Sequence, residues 1–125
     1  EAVKRNGRVT MCKSGNGTGC ANGANSGNWD QGWIVFTDLT GGTLGTFDAG
    51  TDTILRVHGA LTTQSTLIGS TNVVSYISFI PDGRSQLGDG TAQAGTVDLC
   101  KSGASAMGRR LTLALGRAQV AARSC

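Results

Sequence analysis

The sequence is poor in aromatic residues, charge, histidine and glutamate, and each shortage excludes a class of protein. Of its 125 residues only 5% are aromatic and 15% are charged, and it contains one Pro, one His and one Glu. The low charge argues against a disordered chain. No apolar run approaches the about 18 residues that a membrane-spanning helix needs. The length suits one domain with one sizeable core.

Glycine and threonine are abundant instead, with 20 Gly and 15 Thr. This composition disfavours a helical bundle and favours strands joined by turns. Apolar or alternating runs predict six strands, at residues 8–12, 33–36, 53–58, 73–80, 96–100 and 111–115. We therefore expect one mainly β domain over residues 1–125, an antiparallel two-sheet sandwich or partly open barrel. The residues expected to line its core are Trp33, Val35, Ile77, Phe79, Leu111, Leu113 and Leu115.

The first residues have the pattern of a helix end. Glu1 to Arg5 are mostly helix formers with basic residues last, and Asn6-Gly7 follows as a stop signal. Five residues are too few to form a stable helix alone. We therefore expect residues 1–6 to be the end of a longer helix, the earlier part of which precedes Glu1 in the precursor.

Charge is distributed unevenly along the chain, although the net charge is only +3. Residues 1–13 carry four basic residues against one Glu, residues 14–100 carry two against seven Asp, and residues 101–125 carry five and no acid. The net charges of these three segments are therefore +3, −5 and +5. Basic ends around an acidic middle can mark a nucleic-acid surface, and they can equally come from the solvated outer faces of strands.

Four cysteines, an even number in a small domain, favour disulfide bonds if the compartment is oxidising. Three connectivities are open. Cys12 and Cys20 flank a loop of Gly, Asn and Ser, and Cys125 is placed to tie down a terminus, so the simplest choice pairs Cys12 with Cys20 and Cys100 with Cys125. Zinc is the alternative, but the spacings C-x7-C and C-x24-C lack the short knuckle typical of zinc sites.

Residues for catalysis or metal binding are scarce. The single His, His58, has Asp52 as its nearest acid in the sequence, and no Ser lies in a G-x-S-x-G turn, which disfavours a His-based hydrolase. Asp48 and Asp52, like Asp82 and Asp89, have the pattern of turn residues that bond to their own backbone. Calcium suits such loops, but the D-x-D-x-D-G register of a calcium loop is absent. We expect no enzymatic activity, no bound metal and no cofactor.

Two tryptophans in the segment W-D-Q-G-W, Trp29 and Trp33, allow two interpretations. Exposed tryptophans are stacking platforms for nucleic-acid bases. Aromatic residues are otherwise scarce in this chain, which favours the alternative that Trp33 begins a core strand and Trp29 covers the edge of a sheet.

Six segments in a fixed order carry a family resemblance. They read E-A-V-K-R-N-G-R-V-T-M-C at 1–12, W-D-Q-G-W-I-V-F-T-D at 29–38, I-L-R-V at 54–57, I-S-F-I-P-D-G-R at 77–84, V-D-L-C at 97–100 and R-R-L-T-L-A-L-G-R at 109–117. The set covers nearly the whole chain, and as an ordered set it is far more specific than any one segment. It resembles the GspH/FimT family of minor pilins and pseudopilins of type IV pili and type II secretion systems.

The resemblance implies a location and a role. Members carry a leader and then a long apolar helix that anchors them in the inner membrane, so a stretch of about 20 apolar residues is expected before Glu1. Their β-sandwich-like head lies in the periplasm, an oxidising space that suits paired cysteines. They are non-catalytic subunits that join other minor pilins or pseudopilins and the major pilin at the tip of the pilus or pseudopilus, where they prime or cap assembly.

Some relatives of this kind instead bind DNA for natural transformation through a C-terminal G-R-x-R motif. Here the motif reads Gly116-Arg117-Ala118-Gln119, without the second Arg. One phosphate contact is a considerable part of the affinity of a small patch. We therefore expect an assembly subunit, with DNA binding as the alternative. The candidate residues for either partner are Lys101, Arg109, Arg110, Gly116, Arg117 and Arg123.

Overall fold

The computed structural model describes residues 7–21, 27–39, 44–61, 65–101, 107–114 and 116–124. These residues form eight strands and two short 3₁₀ helices. The strands are β1 (Val9–Lys13), β2 (Trp33–Thr37), β3 (Thr53–His58), β4 (Ser65–Gly69), β5 (Tyr76–Phe79), β6 (Gly95–Lys101), β7 (Met107–Ala114) and β8 (Arg117–Ser124). The 3₁₀ helices are Trp29–Gln31 and Thr71–Val73.

The strands form two antiparallel sheets of four strands each. The first has the order β3-β2-β1-β5, so that β1 is paired on both sides, with Met11 opposite Val35 of β2 and Ile77 of β5. The second has the order β4-β6-β7-β8, in which β7 and β8 form a hairpin. The expected mainly β, two-sheet fold is thereby confirmed.

The main core lies between the two sheets. Its buried members are Trp29, Val73, Ile77, Val97 and Leu113, and half-buried residues pack around them, namely Met11, Trp33, Leu67, Phe79 and Leu111. Five of the seven predicted core residues are in this cluster. Leu115, another of the seven, lies outside the described residues, and Val35 is half-buried and joins neither core cluster.

The first sheet is also covered on its other face, opposite to the side that Val35 shares with Met11 and Trp33. Cys12, Ile34 and Phe36 are fully buried there. The ring of Phe47, from the segment before β3, meets the ring of Phe36 edge to face at 5.5 Å between centroids. Side chains alternate along a strand, so the apolar run in β2 supplies both faces of this sheet. A run without alternation does not show which residues face the main core.

Two strands were not predicted from the sequence, β4 and β8. β4 pairs only with β6, and β8 pairs only with β7 along its whole length. β8 reads R-A-Q-V-A-A-R-S and has one β-branched residue, so its extended conformation depends on pairing rather than on propensity. The strand predicted at 73–80 begins only at Tyr76, because Thr71–Val73 forms a 3₁₀ helix that buries Val73.

The predicted helix end at residues 1–6 lies outside the described residues. Within the part of the chain that the structure describes, no helix combines the length and apolar character required to cross a bilayer.

Candidate interaction surface

The predicted basic residues lie on or beside the β7–β8 hairpin, but the structure divides them between its two faces. Alternate residues of a strand share a face, as do residues paired across neighbouring strands. The register of β6, β7 and β8 therefore places Arg110, Arg117 and Arg123 together on the outer face of the second sheet. Arg109 pairs with Leu99 on the inner face. Lys101 lies two residues after Leu99 in β6 and therefore shares that inner face.

Asp98 of β6 neutralises part of this outer face. Its Oδ1 accepts a hydrogen bond from Arg110 Nε at 2.7 Å, and its Oδ2 accepts one from Arg110 Nη2 at 3.1 Å and another from Arg123 Nη1. The hydrogen bonding from Arg110 is the main cause that lowers the pKa of the Asp98 carboxyl, and the charges of both arginines add to it. Asp98 belongs to the acidic middle of the sequence, yet the fold places it among the basic residues of the end.

Arg117 is the exposed cation of the outer face. It forms no ion pair with any residue that the structure describes. Together with Thr112, Ala114 and Gln119 it lines an open depression of about 370 Å³. Arg117 is therefore available to a partner, whereas Arg110 and Arg123 already share a carboxylate.

Gly116 has a structural role that explains its identity. It precedes β8 with a φ of +81°, a region that side chains other than glycine rarely adopt. Its N–H donates to Ser85 Oγ at 2.9 Å, and a Cβ at this position would overlap the carbonyl oxygen of Gly83. The glycine of the G-R-x-R segment is thus required by the turn and by its contact with the 83–85 segment.

The inner side of the hairpin is apolar and incompletely covered. A cavity of about 350 Å³ lies between the sheets. Its lining comes from both sheets and includes Met11, Trp33, Leu67, Leu99, Arg109 and Val120. Val120 remains 64% exposed and Leu99 36% exposed. β8 thus carries an exposed cation on one face and an exposed apolar side chain on the other.

The two tryptophans are core residues rather than exposed stacking platforms. Trp29 is 3% exposed, and its Nε1–H donates to the carbonyl oxygen of Val73 at 2.8 Å. Trp33 packs against the main core and stacks on His58 at 4.2 Å between ring centroids. The core interpretation of the W-D-Q-G-W segment is therefore supported.

The structure describes one of the two predicted cysteine pairs. The Sγ atoms of Cys12 and Cys20 lie 2.04 Å apart, at bonding distance, as the loop placement predicts. Cys125 lies outside the described residues, so the pairing of Cys100 with Cys125 stays a prediction.

Replacing Asp98 by Asn is expected to lower the free energy of unfolding by about 1 kcal/mol or less near neutral pH, because such partly exposed pairs are weak. A lowered pKa means that Asp98 stabilises the fold above its unfolded pKa of about 3.9, and that this stabilisation is lost as the pH falls through the folded value. Urea unfolding of the wild type and of Asp98→Asn should show that the difference between their free energies of unfolding narrows below about pH 4. A constant difference down to about pH 2 would contradict this.

One of the three comparisons with known proteins identifies a family. The model of the type II transport protein GspH family matches residues 1–116. Neither the comparison with curated proteins nor that with solved structures finds a match. The match covers most of the chain and every strand except β8. It ends at residue 116, in the turn that precedes β8. The chain therefore belongs to the GspH family, a family of structural pseudopilins and minor pilins of type II transport.

Proposed function

We propose that this chain is the periplasmic head of a subunit anchored in the inner membrane by a single apolar helix. It joins other minor pilins or pseudopilins and the major pilin at the tip of a type II secretion pseudopilus or a type IV pilus, where it primes or caps assembly. It acts by contact and without catalysis. Beyond the family match, the observation that carries the proposal is the exposure of β8.

β8 is an edge strand with both of its faces open. It is last in the order of the second sheet, so its outer backbone edge has no partner strand among the described residues. Residues 117–122 are all exposed. A long exposed edge strand is a template for pairing with another chain, and proteins cover or protect such edges. Contact with a neighbouring subunit would cover this one.

The chemistry of β8 fits a protein partner. Protein interfaces combine an apolar centre with a polar, charged rim. Val120 and Leu99 supply exposed apolar surface on the inner face of the second sheet, and Arg117, without an ion pair to any described residue, supplies a charge on the outer face of the same edge strand. We infer a partner head that presents an apolar ridge flanked by a carboxylate, whose charge would orient the contact.

The cysteine geometry supports the location. Cys12 and Cys20 lie at bonding distance, and disulfide bonds persist in oxidising compartments such as the periplasm. The proposal places the head there.

Arg117→Gln and Val120→Asp, each introduced into the full-length protein in its host, are expected to reduce secretion or piliation. Both side chains are exposed, so the variants should accumulate to the normal level. Arg56→Gln, an exposed arginine of β3 in the other sheet, is the matched control and should behave as the wild type. Normal assembly in both β8 variants would exclude this strand as the contact.

DNA binding is the second candidate, and one observation favours it. A DNA-binding patch requires several cations on one face, and Arg110, Arg117 and Arg123 share the outer face of the second sheet. Asp98 binds two of these arginines but offsets only one of the three charges, which leaves +2, and Gln119 occupies the place of the second motif arginine. The net charge of the patch is thus small, which favours assembly over DNA binding.

A mobility shift with the purified head at two salt concentrations distinguishes the two functions. For an assembly subunit we expect only non-specific binding, with a Kd of about 10⁻⁴–10⁻⁶ M at physiological salt. Sub-micromolar binding that Arg117→Gln weakens, with a salt slope flatter by about one unit in the variant, would establish the DNA function instead.

A further inference from the structure

Three aspartates that do not have the sequence spacing of a calcium loop lie close together beside the first sheet. Asp38 directly follows β2, and Asp48 and Asp52 lie in the segment that leads into β3. One carboxylate oxygen of each lies within 4.8 Å of the other two. They are spaced by ten and four positions rather than by two, so they lack the register by which a calcium loop is predicted from sequence.

The carboxylate of Asp38 is buried and only half satisfied. The residue is 1% exposed. Its Oδ2 accepts hydrogen bonds from Thr10 Oγ1 and from the N–H of Gly45, both at 2.7 Å. Its Oδ1 is buried and has no hydrogen-bond partner among the described residues. A buried carboxylate oxygen without a partner is costly, so this atom indicates a missing positive group.

The other two aspartates complete the arrangement. Asp52 is 8% exposed and is held by the backbone, because its Oδ1 accepts from the N–H of Leu39 at 2.8 Å and its Oδ2 from the N–H of Asp48 at 2.9 Å. Asp48 Oδ2 is buried and, within the described part of the chain, also has no partner. The cluster therefore contains two carboxylate oxygens without a partner among the described residues, on Asp38 and Asp48. They accompany the carboxylate of Asp52, which backbone N–H groups hold in place.

Among the described residues, no cation forms an ion pair with this cluster. Arg8 is close enough to act on Asp38 electrostatically, but its guanidinium donates to the carbonyl and side-chain oxygens of Gln86 at 3.1 and 2.8 Å. Burial is the main cause that raises the pKa of Asp38, and the charge of Asp52 adds to it.

We propose that Asp38, Asp48 and Asp52 bind one Ca²⁺ ion that fixes the 44–52 segment against the end of β2. Calcium takes six to eight oxygen ligands in a flexible geometry, and carboxylates are its preferred protein ligands. Backbone carbonyls and water supply the remaining positions in such sites. The donors here are all oxygen, with no thiolate or imidazole among them, which disfavours zinc and copper.

The ion would act on the layer that covers the first sheet. Phe47, one residue before Asp48, packs on Phe36, and its N–H donates to Cys20 Sγ at 3.3 Å. An ion that fixes Asp48 would thus hold Phe47 over the buried face of the first sheet. The inference goes beyond the proposed function and does not depend on which partner β8 contacts.

Thermal unfolding and isothermal titration calorimetry of the chelator-treated protein with CaCl₂ test the site. Sites in extracellular modules have a Kd of about 10⁻⁴–10⁻³ M, so about 10 mM Ca²⁺ should raise Tm by about 5–10 °C. We expect one ion per chain and a smaller response to Mg²⁺, which demands stricter octahedral geometry. An equal response to Mg²⁺ would overturn the choice of calcium.

Asp48→Asn is the most informative variant, because no hydrogen bond within the described part of the chain uses its Oδ2 atom, whereas Asp38 and Asp52 hold the backbone. In chelator it should melt at or above the Tm of the wild type, since it removes one of three adjacent negative charges. In Ca²⁺ it should lose the rise in Tm. Asp89→Asn, an exposed aspartate in another turn, should keep the full response. No calcium response in the wild type, or an equal one in Asp48→Asn, would overturn the proposal.

Discussion

Replacing Leu113 by Ala is expected to lower the free energy of unfolding by about 2–5 kcal/mol, through lost burial and the cavity left behind. Leu113 is 2% exposed and lies in the core between the sheets. Its neighbours across the ladder are Gly95 of β6 and Ala118 of β8, which have no larger side chain to move into the space. Because the site cannot collapse, we expect the upper half of the range.

Urea unfolding followed by tryptophan fluorescence measures this loss as a shift of the midpoint. Val120→Ala is the matched control, since Val120 also lies on the inner face of the second sheet but is 64% exposed. Its effect should stay within about 0.5 kcal/mol. A loss below about 1 kcal/mol for Leu113→Ala would show that β7 is peripheral to the core.

Removing the Cys12–Cys20 bond has the second large expected effect, a loss of about 2–5 kcal/mol in the double alanine variant. The chain-entropy part alone amounts to about 2.5 kcal/mol for so short a loop. Cys12 is also fully buried beside Ile34 and Phe36, and Cys20 packs against that cluster, so the bond fixes the 14–21 loop over the buried face.

Cys20→Ala alone separates the bond from the packing, because it breaks the bond and leaves Cys12 in the core. We expect it to cause most of the loss seen in the double variant by chemical denaturation. Free-thiol titration of the unreduced, unfolded wild type should find no reactive cysteine. Reactive thiols that map to Cys12 and Cys20, or a double variant within about 1 kcal/mol of the wild type, would contradict the Cys12–Cys20 bond.

Strands with a local signal could be predicted from the sequence, and strands that depend on pairing could not. β2 and β3 have apolar, β-branched residues and were placed within one residue of their bounds. β8 has little strand propensity and exists because β7 lies beside it. Its prediction would have required the register of a hairpin rather than the properties of its own residues.

The candidate sites show the same limit. Alternation along β7 is enough to separate Arg109 from Arg110 on opposite faces. The pairing of Arg110 with Asp98 depends on the register of β7 against β6, which no local pattern contains. The meeting of Asp38 with Asp48 depends on the path of the segment between β2 and β3, so a motif with fixed spacing could not find it.

The position of β1 in its sheet has a mechanical consequence. β1 is held by β2 on one side and β5 on the other, whereas β8 is held by β7 alone. Tension applied at Val9 along the strand would load both hydrogen-bond ladders at once, in shear. Tension applied at Ser124 would peel β8 from β7 one pair at a time. The head therefore resists a pull through its first strand better than a pull that peels off its last.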